Sequence, residues 1–117
     1  MPKQFDNQNA EGREAIDLVH LARQTLGDKG LEMELLGLFE RQAGQIADRL
    51  RDCRAEQRAD LAHTLHGSAL AVGAQIVASA ARACERAAAE PEFDARIKLL
   101  RAAVDEARST VARLLAA

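Results

Sequence analysis

Two histidines, a glycine and a serine occur within six residues of this chain, in the segment His63-Thr64-Leu65-His66-Gly67-Ser68-Ala69. The 117-residue sequence contains only three histidines, and the third, His20, has no comparable neighbours. A neutral imidazole offers a nitrogen lone pair that can attack an electrophilic atom or bind a metal ion. We therefore expect the chemistry of this protein at this segment.

The composition of the chain restricts its fold class. The length suits one domain with a single core. Apolar residues make up 48% of the sequence, with three Phe and neither Tyr nor Trp, and Ala, Leu, Arg and Glu dominate. Because these residue types favour helix, an all-α protein is predicted.

Charge and hydropathy exclude several kinds of partner. The formal net charge of -2 leaves no excess of basic residues for a nucleic-acid backbone, and aromatic residues that could stack on bases are scarce. No apolar run approaches the roughly 18 to 20 residues that span a bilayer, and residues 1–7 lack a signal-peptide core. We expect a cytoplasmic protein that binds neither nucleic acid nor membrane.

Cys53 and Cys84 lack CxxC spacing and are expected to be small buried residues.

Hydrophobic spacing predicts one short helix followed by four longer ones. Their expected ranges are Glu14 to an end at Gly27, Asp28 as N-cap to about Asp52, Glu56 to Val72, Ala74 to Ala89, and about Glu92 to the C-terminus. Short connections between amphipathic helices indicate an antiparallel four-helix bundle preceded by one short N-terminal helix. We assign residues 13–117 to this domain and residues 1–12 to a flexible leader.

Apolar stripes along these helices predict the core. The short helix is expected to bury residues among Ile16, Leu18, Val19, Ala22 and Leu26, and the second helix Leu31, Leu35, Leu38, Phe39, Ile46 and Leu50. The next helices contribute Leu61, Leu65, Ala69 and Val72, then Ile76, Val77, Ala80, Ala81, Cys84 and Ala87, then Phe93, Ile97, Leu100, Val104, Val111 and Leu114. One apolar face per helix is what a bundle core requires.

His63 is predicted to point away from this core. It lies two positions from the stripe residues Leu61 and Leu65, which is about 200° around a helix. Gly67 follows one turn later on the side of His63. Glycine inside a helix costs about 1 kcal/mol relative to alanine, so it normally has a reason. Here it leaves the imidazole accessible to a second molecule, or else permits a close helix-helix contact.

The segment from His63 to Ala69, followed by Gly73 and Ala74, resembles the signature of histidine phosphotransfer (HPt) domains, H-x-L-K-G-S/A-S/A-x-x-x-G. The order of helices extends the resemblance over about residues 14–116. The resemblance implies a monomeric four-helix bundle that takes a phosphoryl group from a receiver-domain aspartate and passes it to another receiver. It also implies that His63, the first histidine of the motif, is the phosphoacceptor and that Gly67 keeps its ring accessible.

The sequence departs from the signature at His66, where the family usually has lysine. We interpret His66 as a replacement that gives the phosphoryl oxygens a hydrogen bond and a pH-dependent charge. His66 as the acceptor itself is an alternative. A polar residue 22 positions after the acceptor commonly holds the proton on Nδ1 in the family, and this count leads to Glu85, which could equally be a solvated charge.

Three more residues near the motif have open roles. Ser68 is either a packing-compatible polar group or a phosphate contact. Arg82 and Arg86 could meet the acidic pocket of a receiver, although exposed arginines usually have no partner.

Other classes of protein remain open. A helical module could bind a receiver without phosphotransfer. His63 and His66 could belong to a metal site, although the sequence lacks a second paired ligand motif and we expect no metal. A sensor-kinase dimerisation domain is disfavoured because Thr64, not an acidic residue, follows His63.

The implied partners are receiver domains of response regulators and a hybrid or separate sensor histidine kinase. Since the chain has no glycine-rich phosphate cradle, no autokinase activity is expected, and the protein is a phosphoryl carrier rather than a turnover enzyme. No cofactor is expected in the carrier, because the receiver would supply Mg²⁺. The identity of donor and acceptor and the direction of phosphate flow stay open.

Overall fold

The computed structural model describes residues 14–117. This part of the chain forms five α-helices and no strand: α1 Leu18–Gln24, α2 Lys29–Asp52, α3 Ala55–Val72, α4 Gln75–Arg86 and α5 Phe93–Ala116. The prediction of an all-α protein is confirmed. The predicted leader, residues 1–12, lies outside the described residues.

Aspartate side chains begin the first two helices. Asp28 accepts a hydrogen bond from the backbone N–H of Leu31 at 3.0 Å, as predicted for the N-cap of α2. Asp17 caps α1 in the same way, by accepting from the N–H of His20 at 3.1 Å. Because a capping residue has an extended backbone, α1 begins after Asp17 rather than at the predicted Glu14.

The C-terminal end of α4 comes earlier than predicted. The helix spans Gln75–Arg86 rather than residues 74–89, and turns connect it to α5. The guanidinium of Arg58 donates a hydrogen bond to the carbonyl of Ala88 at 3.3 Å and lies 4.1 Å from the centroid of the Phe93 ring. Alanine propensity favours further helix here, so local propensity does not account for the earlier end.

The stripes of α3 and α5 form the core as predicted, except that Leu61 and Leu114 are only half-buried. α3 and α5 together bury Leu65, Ala69, Val72, Phe93, Ile97, Leu100, Val104 and Val111. In α4, by contrast, Ile76 is exposed and Ala80 is only half-buried, whereas Val77, Ala78, Ala81 and Cys84 are buried. The alanines leave little side-chain volume between α4 and its neighbours.

The predicted stripe of α2 is partly wrong. Leu31 and Leu38 are exposed, and Leu36 and Ala43 are buried in their place. The buried positions advance from Leu36 in steps of three and four residues, and Leu31 and Leu38 lie off that face.

The stripe of α1 is also partly wrong. Leu18 and Val19 are exposed, and Leu26 lies beyond the helix and is 94% exposed. Within this short helix Leu21 supplies the buried contact.

The four long helices make a closed set of contacts. α2 packs against α3, α3 against α4, α4 against α5, and α5 against α2, while α1 packs on α2 and α3. The guanidinium of Arg108 on α5 lies over Gly44 of α2, 2.7 Å from where a Cβ atom would be. That guanidinium pairs with Glu40 at 2.7 Å. Arg101 donates to the carbonyl of Ala47 at 3.1 Å.

Both cysteines are free thiols. Cys84 is buried in the core as expected, whereas Cys53 is only half-buried. Burial raises the pKa of the Cys84 thiol to about 11, opposed in part by the positive charge of Arg96. Since this thiol is protonated at neutral pH, Cys84 acts as a small apolar residue.

Gly73 joins α3 to α4 in a conformation that other residues avoid. Its φ angle is +80°, in the left-handed region, where it ends α3. Its carbonyl accepts a hydrogen bond from the N–H of Asp17 at 2.8 Å. A Cβ atom at Gly73 would lie 2.8 Å from the carbonyl oxygen of Asp17. Glycine is therefore required at position 73 for two reasons. The backbone is left-handed there, and the segment before α1 leaves no room for a Cβ atom.

We expect Gly73→Ala to lower the free energy of unfolding by about 2 kcal/mol, because alanine is strained at this φ and contacts the Asp17 backbone. Urea denaturation followed by circular dichroism measures the change. The control is Gly67→Ala within α3, where no atom lies within 4 Å of an added Cβ. It should raise the free energy of unfolding by about 0.5 to 1 kcal/mol. Equal effects of the two substitutions would contradict this account of Gly73.

Candidate functional site

His63 projects from α3 beside α4. Its side chain is 71% exposed, and its Nδ1 lies 3.1 Å from Oε2 of Glu85. Because a carboxylate only accepts hydrogen bonds, Nδ1 of His63 carries the proton and donates it. The neutral ring then has its lone pair on Nε2, at the other side of the imidazole. The arrangement leaves a nucleophilic nitrogen accessible from solvent.

Glu85 is the hydrogen-bond partner of this ring. Its side chain is 30% exposed, and it lies on α4, 22 positions after His63. A carboxylate at this place fixes which nitrogen holds the proton, as in other sites where a second group orients a histidine. It can also balance a positive charge that develops on the imidazole when Nε2 forms a bond.

His66 is held differently from His63. It is half-buried, and its Nδ1 lies 2.9 Å from the backbone carbonyl oxygen of Ala78 on α4. Since a carbonyl only accepts, Nδ1 of His66 donates, and in the neutral ring Nε2 has no proton. His66 can therefore donate a hydrogen bond to an anion from Nε2 only when it is protonated to imidazolium.

Gly67 leaves open space next to His63. It is exposed, and no atom lies within 4 Å of the position of an added Cβ. The alternative of a close helix-helix contact at Gly67 is therefore wrong. Leu70, one turn further along α3, is 47% exposed on the same side. Gly67 and Leu70 thus give α3 one small and one apolar residue on the side of His63.

The remaining candidates make no hydrogen bond or ion pair with the His63 ring. Ser68 is half-buried, five positions along α3 and so about 140° around the helix from His63. This favours packing over a phosphate contact. His20 lies on α1, with its Nε2 3.3 Å from the side-chain nitrogen of Gln24. Arg82 and Arg86 are exposed on α4.

The carbonyl of Ala78 is the partner that sequence reasoning missed. Backbone acceptors leave no trace in residue type, and the side chain of Ala78 has no polar group. The contact exists only because His66 lies opposite α4 in the folded structure.

Within residues 14–117, no group of three or more His, Cys, Asp or Glu side chains could hold a metal ion. None of the five helices is long and apolar enough to cross a membrane.

An all-helical domain with an exposed, carboxylate-oriented histidine has the features of a phosphoryl carrier. The family model for the Hpt domain matches residues 34–116. The chain therefore belongs to the Hpt domain family, whose general role is histidine phosphotransfer in phosphorelays with receiver domains and kinases. Searches of curated proteins and of solved structures found no match.

We expect nitrogen-15 NMR of the imidazole rings to find both His63 and His66 protonated on Nδ1 in their neutral forms. Glu85→Ala should shift His63 toward the Nε2-protonated form that free imidazole prefers, because Nδ1 loses its acceptor. His66, which donates to a backbone carbonyl, should not change and serves as the internal control. A His63 ring that keeps its proton on Nδ1 in Glu85→Ala would show that Glu85 does not orient it.

Proposed function

We propose that this protein shuttles a phosphoryl group between receiver-domain aspartates by way of a phosphohistidine on His63. The observation that carries the proposal is the 3.1 Å contact between His63 Nδ1 and Glu85 Oε2. It supports a neutral ring with an available Nε2. The open surface at Gly67 supports approach of a second protein to that atom.

The transfer step follows from this geometry. The Nε2 lone pair of His63 attacks phosphorus in line with the aspartyl oxygen of the donor receiver. As the N–P bond forms, the O–P bond breaks, and the aspartyl carboxylate leaves with its electron pair. The Nδ1 proton stays on the ring, and Glu85 balances the imidazolium charge. The reverse attack by a carboxylate of the acceptor receiver regenerates neutral His63.

In this proposal the carrier needs no cofactor, and the receiver brings Mg²⁺. It works as a cytoplasmic monomer without autokinase activity, with a hybrid or separate sensor kinase upstream. The long helices form an antiparallel bundle behind the short α1. Two contacts support opposite directions for α2 and α5. Arg101 binds Ala47, whereas Arg108, further along α5, binds Glu40, which is earlier in α2.

Incubation with a phosphorylated receiver should label the protein with acid-labile, base-stable phosphate, because an N–P bond forms on His63. His63→Ala should abolish the label, and His66→Ala should keep it. Circular dichroism of both variants controls for folding. Label that persists in His63→Ala but is lost in His66→Ala would make His66 the acceptor. Binding of the receiver without label in any variant would favour a module that only binds receivers.

The transfer rate should fall more steeply between pH 6 and 8 in the wild type than in His66→Lys. An imidazole can lose its charge within this pH range, whereas lysine stays charged, and neutral His66 has no proton on Nε2. Rates measured from one phosphorylated receiver across this range provide the comparison, with receiver autohydrolysis measured in parallel. The same slope in both proteins would refute a phosphate-binding role for His66.

A further inference from the structure

Both histidines of α3 contact α4, and we call the surface between the two contacts the groove. His63 reaches Glu85, and His66 reaches the carbonyl of Ala78. The two partners on α4 are seven residues apart, which is two helical turns and hence the same face. Residues of α4 between them on that face must lie along the same side of the groove.

Arg82 occupies this intermediate place. It follows Ala78 by four residues and precedes Glu85 by three, and residues at these spacings are neighbours on a helix surface, with Cβ atoms about 5 to 6 Å apart. Its side chain is exposed. The ion pairs among residues 14–117 have Lys29, Arg51, His63, Arg101 and Arg108 as their cationic members, so Arg82 is committed to none of them.

A phosphoryl group on His63 would need a cation here. It adds a charge of about -1.5 to -2 beside the carboxylate of Glu85, which repels it. Neutral His66 has no proton on Nε2 to offer the phosphoryl oxygens, because its proton is on Nδ1, which donates a hydrogen bond to the carbonyl of Ala78. The groove therefore lacks a fixed positive charge from α3.

Other arginines near the groove are directed elsewhere. Arg58 is engaged with the carbonyl of Ala88 and the ring of Phe93. Arg86 lines a cleft of about 310 Å³ with residues that include Glu90 and Glu92, at the junction of α4 and α5.

We infer that Arg82 binds the phosphoryl oxygens on His63 and supplies, from α4, the fixed charge that His66 does not supply from α3. The inference rests on the proposed function. An arginine suits the task because its planar guanidinium donates two parallel hydrogen bonds to a phosphoryl group and stays charged at every physiological pH. The role differs from docking of a receiver, since it concerns the transferred group itself.

The test uses two phosphodonors, a phosphorylated receiver and phosphoramidate, which is too small to depend on a docking surface. With phosphoramidate, its P–N bond breaks, ammonia leaves, and the N–P bond to His63 forms. Arg82→Ala should slow labelling of His63 about tenfold with both donors, because the developing phosphoryl charge loses its cation. Arg82→Lys should restore most of the rate. Arg86→Ala is the matched control, with the same charge removed from the same helix, and should leave labelling by phosphoramidate unchanged.

The same substitution in a His66→Lys protein tests whether Arg82 acts on the phosphoryl oxygens. In His66→Lys, which restores a permanent charge on α3, Arg82→Ala should cost less than it does in the wild type, since the two cations serve the same oxygens. A loss with the receiver alone would overturn the inference in favour of docking. An equal loss in Arg82→Ala and Arg86→Ala would overturn it in favour of a general effect of positive charge on α4. If the wild type is labelled and Arg82→Ala is labelled at the same rate, this inference is overturned and the proposed function is not. No labelling of the wild type by either donor would overturn the proposed function together with it.

Discussion

Close packing of α3 against α4 is the constraint on which the site depends. Buried alanines line the faces of these two helices, namely Ala62 and Ala69 on α3 and Ala78 and Ala81 on α4. With methyl groups between them, the backbones approach closely. An imidazole of one helix can then reach the backbone of the other, as His66 does at 2.9 Å from the Ala78 carbonyl. The same approach puts Glu85 within hydrogen-bonding distance of His63.

The register of the two helices is fixed at their common turn. Gly73 reverses the chain with a left-handed residue, and its carbonyl is bound to the N–H of Asp17. Asp17 in turn caps α1. The segment before α1 is therefore tied to the turn between α3 and α4, and a substitution at Gly73 would disturb both. At the other end, Arg58 binds the carbonyl of Ala88, just after α4, and lies over the ring of Phe93.

Two histidines one helical turn apart acquire different properties from these constraints. Both donate from Nδ1, but His63 donates to a carboxylate at the surface and His66 to a neutral carbonyl in a half-buried position. A carboxylate balances a positive ring, whereas a carbonyl fixes the tautomer without adding a full charge. His63 is thereby suited to form a bond at Nε2. His66 is held in place at the cost of having no donor on Nε2 while it is neutral.

The sequence by itself determined the all-α class, the Asp28 cap, the turn at Gly73 and the segment at which chemistry is expected. These features depend on local propensity, on capping and on the spacing of residues along one helix, which are visible in the chain. Tertiary structure decided the exposed positions of Leu31 and Leu38, the early end of α4 and the role of the Ala78 carbonyl. Each of these depends on which neighbour a face meets. Helical periodicity indicates that residues share a face, but only packing decides which face is buried and which backbone atoms come within reach.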